Sequence, residues 1–316
     1  METCVRRLVP LLLLLVATPL RADAIDDARA ALVAQQQGDL GAAIELYTRA
    51  IDTGELETKY LAIAFYNRGN AHFARRDYVA ALADYHVAVG FAPDYALAHN
   101  NRGNAFAALG AYEKSVAAFD AAIRIRPDYA LAYKNRGNAH AAAGFLERAI
   151  ADYDVAAGYA PDHAKTYNNR GNARFLLGHF AAAVADYQAA LEIDPYDLYS
   201  MLWLYLAETR AGGDGEPALG TRGTAIDDGR WPMVVVSYYL GEASGDDVLA
   251  AAALADPVAQ RERQCEAYYY LGAGRLIAGD AEGARGLFRE ALATGVAHFV
   301  EYLGARIELG RMGSAP

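Results

Sequence analysis

Asn67-Arg68-Gly69-Asn70-Ala71 recurs unchanged as residues 101–105, 135–139 and 169–173. The glycines stand at 69, 103, 137 and 171, a constant interval of 34 residues. Four identical pentapeptides at one interval define a repeat. Such a short unit cannot bury its apolar face alone and does so by stacking on its neighbours.

With glycine set at position 8, four units follow: 62–95, 96–129, 130–163 and 164–197. Position 20 is Ala81, Ser115, Ala149 and Ala183, and position 27 is Ala88, Ala122, Ala156 and Ala190. Position 24 is aromatic throughout, as Tyr85, Phe119, Tyr153 and Tyr187. Small residues at 8, 20 and 27 let two antiparallel helices approach closely, and the aromatic fills the space between them. Pro93, Pro127, Pro161 and Pro195 end each second helix, because proline lacks the backbone donor. Asp94, Asp128 and Asp162 then fall where helix N-caps are expected. This pattern closely resembles the tetratricopeptide repeat (TPR) family. The resemblance implies an all-α, right-handed solenoid of helix-turn-helix units.

The register extends outward from this block. Residues 24–57 contain Gly38-Asp39 at the turn, then Ala43, Tyr47 and Ala50 at positions 20, 24 and 27. An irregular TPR-like unit is therefore expected over 25–61. After Pro195 the register changes. Leu198 to Arg210 reads as one apolar helix, Ala211 to Gly223 as a glycine-rich loop, and Ala225 to Ala255 as further helices. Together 198–264 form a helical insert. Gly272, Ala284, Phe288 and Ala291 restore positions 8, 20, 24 and 27, so 265–316 is expected to be a C-terminal TPR-like repeat with a capping helix at 299–309.

Residues 1–24 differ from all of this. Arg6 and Arg7 precede an apolar run from Leu8 to Ala17, and Ala22-Asp23-Ala24 supplies small residues for cleavage. This is the pattern of a secretory signal peptide. The run is shorter than the roughly 20 residues needed to span a bilayer. Cleavage after Ala24 would change the net charge from −10 to −11 and remove Cys4, leaving Cys265 without an intrachain partner. An exported protein of the periplasm or cell envelope, soluble once the signal is cleaved, is expected. At 54% hydrophobic and 22% charged residues the chain has a folding composition. Its acidity, without basic clusters, argues against nucleic acid and anionic membranes.

Asp194-Pro195-Tyr196-Asp197, the run Leu202 to Glu208, Tyr269-Tyr270-Leu271-Gly272, Gly279-Asp280 and His298-Phe299-Val300-Glu301 together resemble the lipoprotein NlpI family of envelope TPR adaptors. That resemblance implies a homodimeric, non-catalytic scaffold for peptidoglycan hydrolases or a periplasmic protease. Members of that family carry an acylated cysteine after the signal. Here Cys4 precedes the apolar run, which argues against membrane tethering.

Candidate binding residues come from positions 6 and 9, which share one face of the first helix. Both are asparagine in every regular unit: Asn67, Asn101, Asn135 and Asn169, then Asn70, Asn104, Asn138 and Asn172. An amide offers both a donor and an acceptor, so two rows can pair with the backbone of an extended peptide. This resembles the asparagine ladder of O-linked N-acetylglucosamine transferase. Alternatively, the amides bond to neighbouring helices and stiffen the stack, or recent duplication preserved them. Lys134, at position 5, adds a basic candidate. Arg68, Arg102, Arg136 and Arg170 at position 7 face Asp84, Asp152 and Asp186 at position 23, as forks across antiparallel helices. Repeat 96–129 has Ala118 at position 23 instead. The seven histidines show no common ligand spacing, and no phosphate loop or nucleophile elbow is found. Neither metal, cofactor nor enzymatic activity is expected. The alternative function is a structural, self-assembling subunit with no peptide groove.

Overall fold

The computed structural model describes residues 19–223 and 231–313. Among them every regular element is an α-helix, and successive helices pack as antiparallel pairs. Most of the leader expected at the N-terminus lies outside the described residues. The chain divides into two compact units, 1–105 and 106–316, with the division inside one helix.

The first unit contains α1 (Pro19–Gln36), α2 (Leu40–Asp52), α3 (Thr58–Ala74), α4 (Tyr78–Phe91) and the first part of α5 (Ala96–Ala108). Gly69 is where α3 and α4 meet: a Cβ there would lie 2.8 Å from the Tyr85 ring. Each pair turns on one residue with positive φ. This is Gly38 between α1 and α2, and Arg76 (φ 63) between α3 and α4. Asp39 and Asp77 follow these turns and cap α2 and α4 by accepting from Ala42 N and Ala80 N.

The second unit continues with α6 (Tyr112–Ile125), α7 (Ala130–Ala142), α8 (Leu146–Tyr159), α9 (Ala164–Leu177) and α10 (Phe180–Ile193). Gly137 and Gly171 repeat the close approach, with their would-be Cβ atoms 2.7 Å from Tyr153 and Tyr187. Two expectations about caps fail here. The N-cap positions of α7 and α9 are Tyr129 and His163, and neither Asp128 nor Asp162 caps them. The proline-containing turn places the aspartate one residue too early. Asp197 stands at the N-cap proper and holds Tyr199 N and Ser200 Oγ.

Beyond Pro195 come α11 (Leu198–Arg210), α12 (Glu216–Gly223), α13 (Met233–Tyr239), α14 (Gly245–Ala251), α15 (Pro257–Ile277), α16 (Ala281–Ala293) and α17 (Val300–Gly313). The loop expected over 211–223 is thus half helix. Gly220 and Gly223 disfavour α12, but Leu219 is 2% exposed, and its packing overrides propensity. Helix α15 begins at Pro257, ahead of the expected repeat, with Asp256 as its cap. Helix α11 runs through the main core. Trp203 contacts Phe175 and Tyr269, with ring centroids 5.1 and 5.3 Å apart.

Helix α17 closes against α15 and α16 and also reaches back to α9. Gly304 allows this, because a Cβ there would lie 2.6 Å from the Tyr269 ring. Leu303, with Val300 and Ile307, joins Leu146, Tyr153, Ala173 and Leu176 in one apolar cluster. Arg311 donates to the Leu176 carbonyl at 2.8 Å, and Arg210 pairs with Glu308 at 3.2 Å. No described helix is long and apolar enough to cross a membrane.

Candidate peptide-binding face

The two asparagine rows are joined by a hydrogen-bond relay. In the first unit the Tyr85 hydroxyl donates to Asn70 Oδ1 at 2.8 Å, and Asn101 Nδ2 donates to the same oxygen at 2.8 Å. The second unit repeats this: Tyr153 donates to Asn138 Oδ1 at 2.8 Å, as does Asn169 Nδ2 at 2.8 Å. Tyr187 donates to Asn172 Oδ1 at 2.8 Å. The aromatic of position 24 thus fixes the amide of position 9, which holds the amide of position 6 one repeat later. At Asn70 and Asn138 both lone pairs of the position-9 oxygen are used.

The relay orients the amides without exhausting them. At Asn138 the position-9 nitrogen keeps its donors, whereas Asn70 also donates to the Tyr66 hydroxyl, and at position 6 Asn169 keeps its carbonyl oxygen. Asn172 spends one donor on Asn168 at 3.2 Å, and Asn101 accepts from Asn100 at 3.0 Å. Asn67 lies against Tyr47. Asn104 is half-buried, and Phe119 carries no hydroxyl to supply the tyrosine part of its relay. Asn135 and Lys134 are half-buried on α7. Burial first, then the charges of Lys134 and Lys165, hold the His163 imidazole below its ordinary pKa.

Arginines at position 7 clamp the helix pairs from behind. Arg68 reaches Asp84 at 2.7 Å and Thr48 Oγ1 at 3.0 Å. Arg136 bridges Asp152 and Asp120, at 2.5 and 2.6 Å. Arg170 bridges Asp186 at 2.6 Å and Asp154 at 2.7 Å. The second carboxylates, Asp120 and Asp154, come from the preceding repeat. Their 34-residue spacing was the signal that could have revealed them. Arg102 has a buried Nε without a hydrogen-bond partner, and burial lowers its pKa.

In the second unit the rows border a cavity of about 270 Å³. Asn138, Asn169 and Asn172 stand at it together, with Tyr153 and Leu146. Its far wall is residues 297–300 and Leu303, where the chain enters α17. Sequence reasoning did not connect this wall to the rows, since no local pattern links residues so far apart. Asn67, Asn70 and Asn101 belong to the first unit and take no part in this cavity.

Residues 28–96 and 164–197 match family models described as tetratricopeptide repeat, and residues 103–144 match one described as TPR repeat. The fold is that of a TPR α-solenoid, and the chain is a TPR protein. A tetratricopeptide repeat protein from Parabacteroides merdae is similar over 78% of this chain and 98% of its own, at 16% identity and a TM-score of 0.53. MamA from Desulfovibrio magneticus RS-1, from residue 41 to its end, is similar over 56% of this chain and 97% of its own. There the identity is 16% and the TM-score 0.51. At such identities the likeness is one of fold.

Proposed function

We propose that this protein is an exported, non-catalytic scaffold that holds extended segments of partner proteins on its asparagine rows. The observation that carries this reading is the relay. It consumes the oxygen at position 9 and one donor at position 6, fixing both side chains. Asn138 then retains donors and Asn169 an acceptor, as peptide backbone pairing requires. Preorganised amides lose little rotamer entropy when a ligand arrives.

The leader pattern supports export to the periplasm or cell envelope. The resemblance to envelope adaptors supports peptidoglycan hydrolases or a protease as clients, and a homodimer as the working form. The relay also favours a second reading, in which the rows only stiffen a self-assembling stack. One experiment separates the two. Wild type and a variant with Asn70, Asn104, Asn138 and Asn172 changed to Ala are used as baits in envelope extract, with helicity and melting checked. Loss of partners at unchanged fold supports the scaffold. Retention of the same partners refutes it and leaves the structural reading.

A further inference from the structure

The cavity beside Asn138 differs from the rest of the asparagine face. Its floor is alanine and leucine: Ala141, Ala142, Leu146, Ala173 and Leu176. Its outer wall is Phe299, Val300 and Leu303, delivered by the last helix from more than a hundred residues downstream. Amides stand at its edge. We propose that this cavity is a pocket for one uncharged apolar side chain of the peptide that the asparagine rows hold. The proposal rests on the scaffold reading and names the class of segment recognised there.

Size sets the first limit. About 270 Å³ is the share of roughly nine water molecules at ~30 Å³ each. It falls just below the ~300–1,000 Å³ of sites for drug-sized ligands. The space suits a single side chain of leucine, methionine or phenylalanine size.

Chemistry sets the second limit. The lining contains no Asp, Glu, Lys or Arg, and its ionisable members are Tyr153 and His298. Tyr153 is committed to Asn138, and burial pushes its hydroxyl pKa far up, so it stays neutral. A charged side chain entering here would lose its water and find no counter-charge. An apolar one loses nothing and removes the part-exposed Phe299 ring from water.

Geometry sets the third. Asn138 accepts from Tyr153 and Asn169, and its Nδ2 makes no hydrogen bond among the described residues. Asn169 Oδ1 likewise accepts none. A donor and an acceptor therefore flank the apolar opening, matching the N–H and C=O of a residue whose side chain drops into it. The alanines are needed for this, because a larger residue at 142 or 173 would fill the floor.

The test begins with the full chain on an array of randomised heptapeptides. The best binder is then resynthesised with each residue changed in turn to Ala and to Asp. Dissociation constants are measured by anisotropy for the wild type, for Ala142→Leu, which fills the pocket, and for Phe299→Ala, which removes its wall. Asn138→Ala serves as the reference for the rows, and circular dichroism checks every variant.

Each methylene withdrawn from the pocket is worth about 4-fold. One position of the peptide should therefore dominate, and Leu→Ala there should weaken binding by about 50-fold, with Asp weaker still. Ala142→Leu and Phe299→Ala should each shrink that ratio to near one. If peptides bind and Asn138→Ala weakens them, but no single apolar position dominates, the pocket inference is wrong and the scaffold reading stands. The pocket inference is equally wrong if the Leu-to-Ala ratio survives in both pocket variants. If the wild type holds no peptide at all, the scaffold reading fails and the pocket with it.

Discussion

Glu301 opens helix α17 and is 3% exposed, yet no Lys or Arg among the described residues pairs with it. Burial first, then the nearby carboxylate of Glu266, pushes its pKa from 4.5 up to about 8. Its own backbone N–H, the Tyr270 hydroxyl at 3.2 Å and Trp203 offset this only in part. The groups facing it are Glu266, Cys265, Tyr269 and Tyr270 on α15, Trp203 and Tyr199 on α11, and Tyr187 on α10. None is cationic. Arg263 acts on Glu266, which also accepts from Tyr199 at 3.0 Å and Trp231 at 2.5 Å, and whose pKa burial likewise raises. In the unfolded chain Glu301 ionises near its ordinary value. Between there and about 8 the folded state binds the extra proton, so stability must fall as pH rises. The slope is about 1.4 kcal/mol per pH unit, or roughly 3 kcal/mol from about pH 6 to about pH 8. Glu266 adds to the loss with the same sign. Glu301→Gln replaces the neutral carboxyl by a neutral amide that still accepts from Tyr270. Urea titrations of both proteins at several pH values are the assay. The variant should match wild type near pH 4 and exceed it by about 4 kcal/mol near pH 8. Parallel curves for the two proteins, or a wild type that gains stability with rising pH, would refute this account of the buried carboxyl.

Three further outcomes follow from the packing. Asp152→Ala removes the main partner of Arg136 and of His140 and should cost on the order of 3 kcal/mol, whereas Asp120→Ala, at a half-exposed carboxylate of the same bridge, should cost less than about 1 kcal/mol; calorimetry reads both, and equal costs would refute the ranking. Gly304→Ala drives a methyl into Tyr269 and should destabilise by roughly 1–3 kcal/mol, while Gly286→Ala, with open space around it, should gain up to about 1 kcal/mol. Cys265 is fully buried, and its thiol pKa is pushed up to about 12, so a disulfide reagent at neutral pH should label it only once denaturant is added.

Much of this fold was legible because its decisive contacts are local. Gly69 and Tyr85, or Gly137 and Tyr153, meet within one helix pair, and their spacing recurs often enough to be read. The forks of Arg68, Arg136 and Arg170 with Asp84, Asp152 and Asp186 were readable for the same reason. Caps were less so. Asp128 and Asp77 look alike in sequence, but of the two only Asp77, after the left-handed Arg76, lands on an N-cap. Helix α12 was hidden because burial of Leu219 decides it against the propensity of its glycines. The asparagine rows could be placed on one face, but their relay could not be seen. It depends on which aromatic at position 24 carries a hydroxyl. The pocket was invisible, because its floor and wall meet only through the return of α17. The helical spacing of Val300, Leu303 and Ile307 showed an apolar stripe without showing what it covers.

That return has a consequence for the making of the protein. The floor of the pocket is complete once Leu176 has been synthesised, but Phe299 and Leu303 follow more than 120 residues later. At about 5–20 residues per second, the growing chain spends on the order of ten seconds with Leu146, Ala173 and Leu176 uncovered. During that interval the nascent repeats expose a sticky surface that the finished molecule largely hides. Ribosome stalling or early termination in this window would release a chain with folded repeats and an open apolar seam, a natural target for chaperones and proteases.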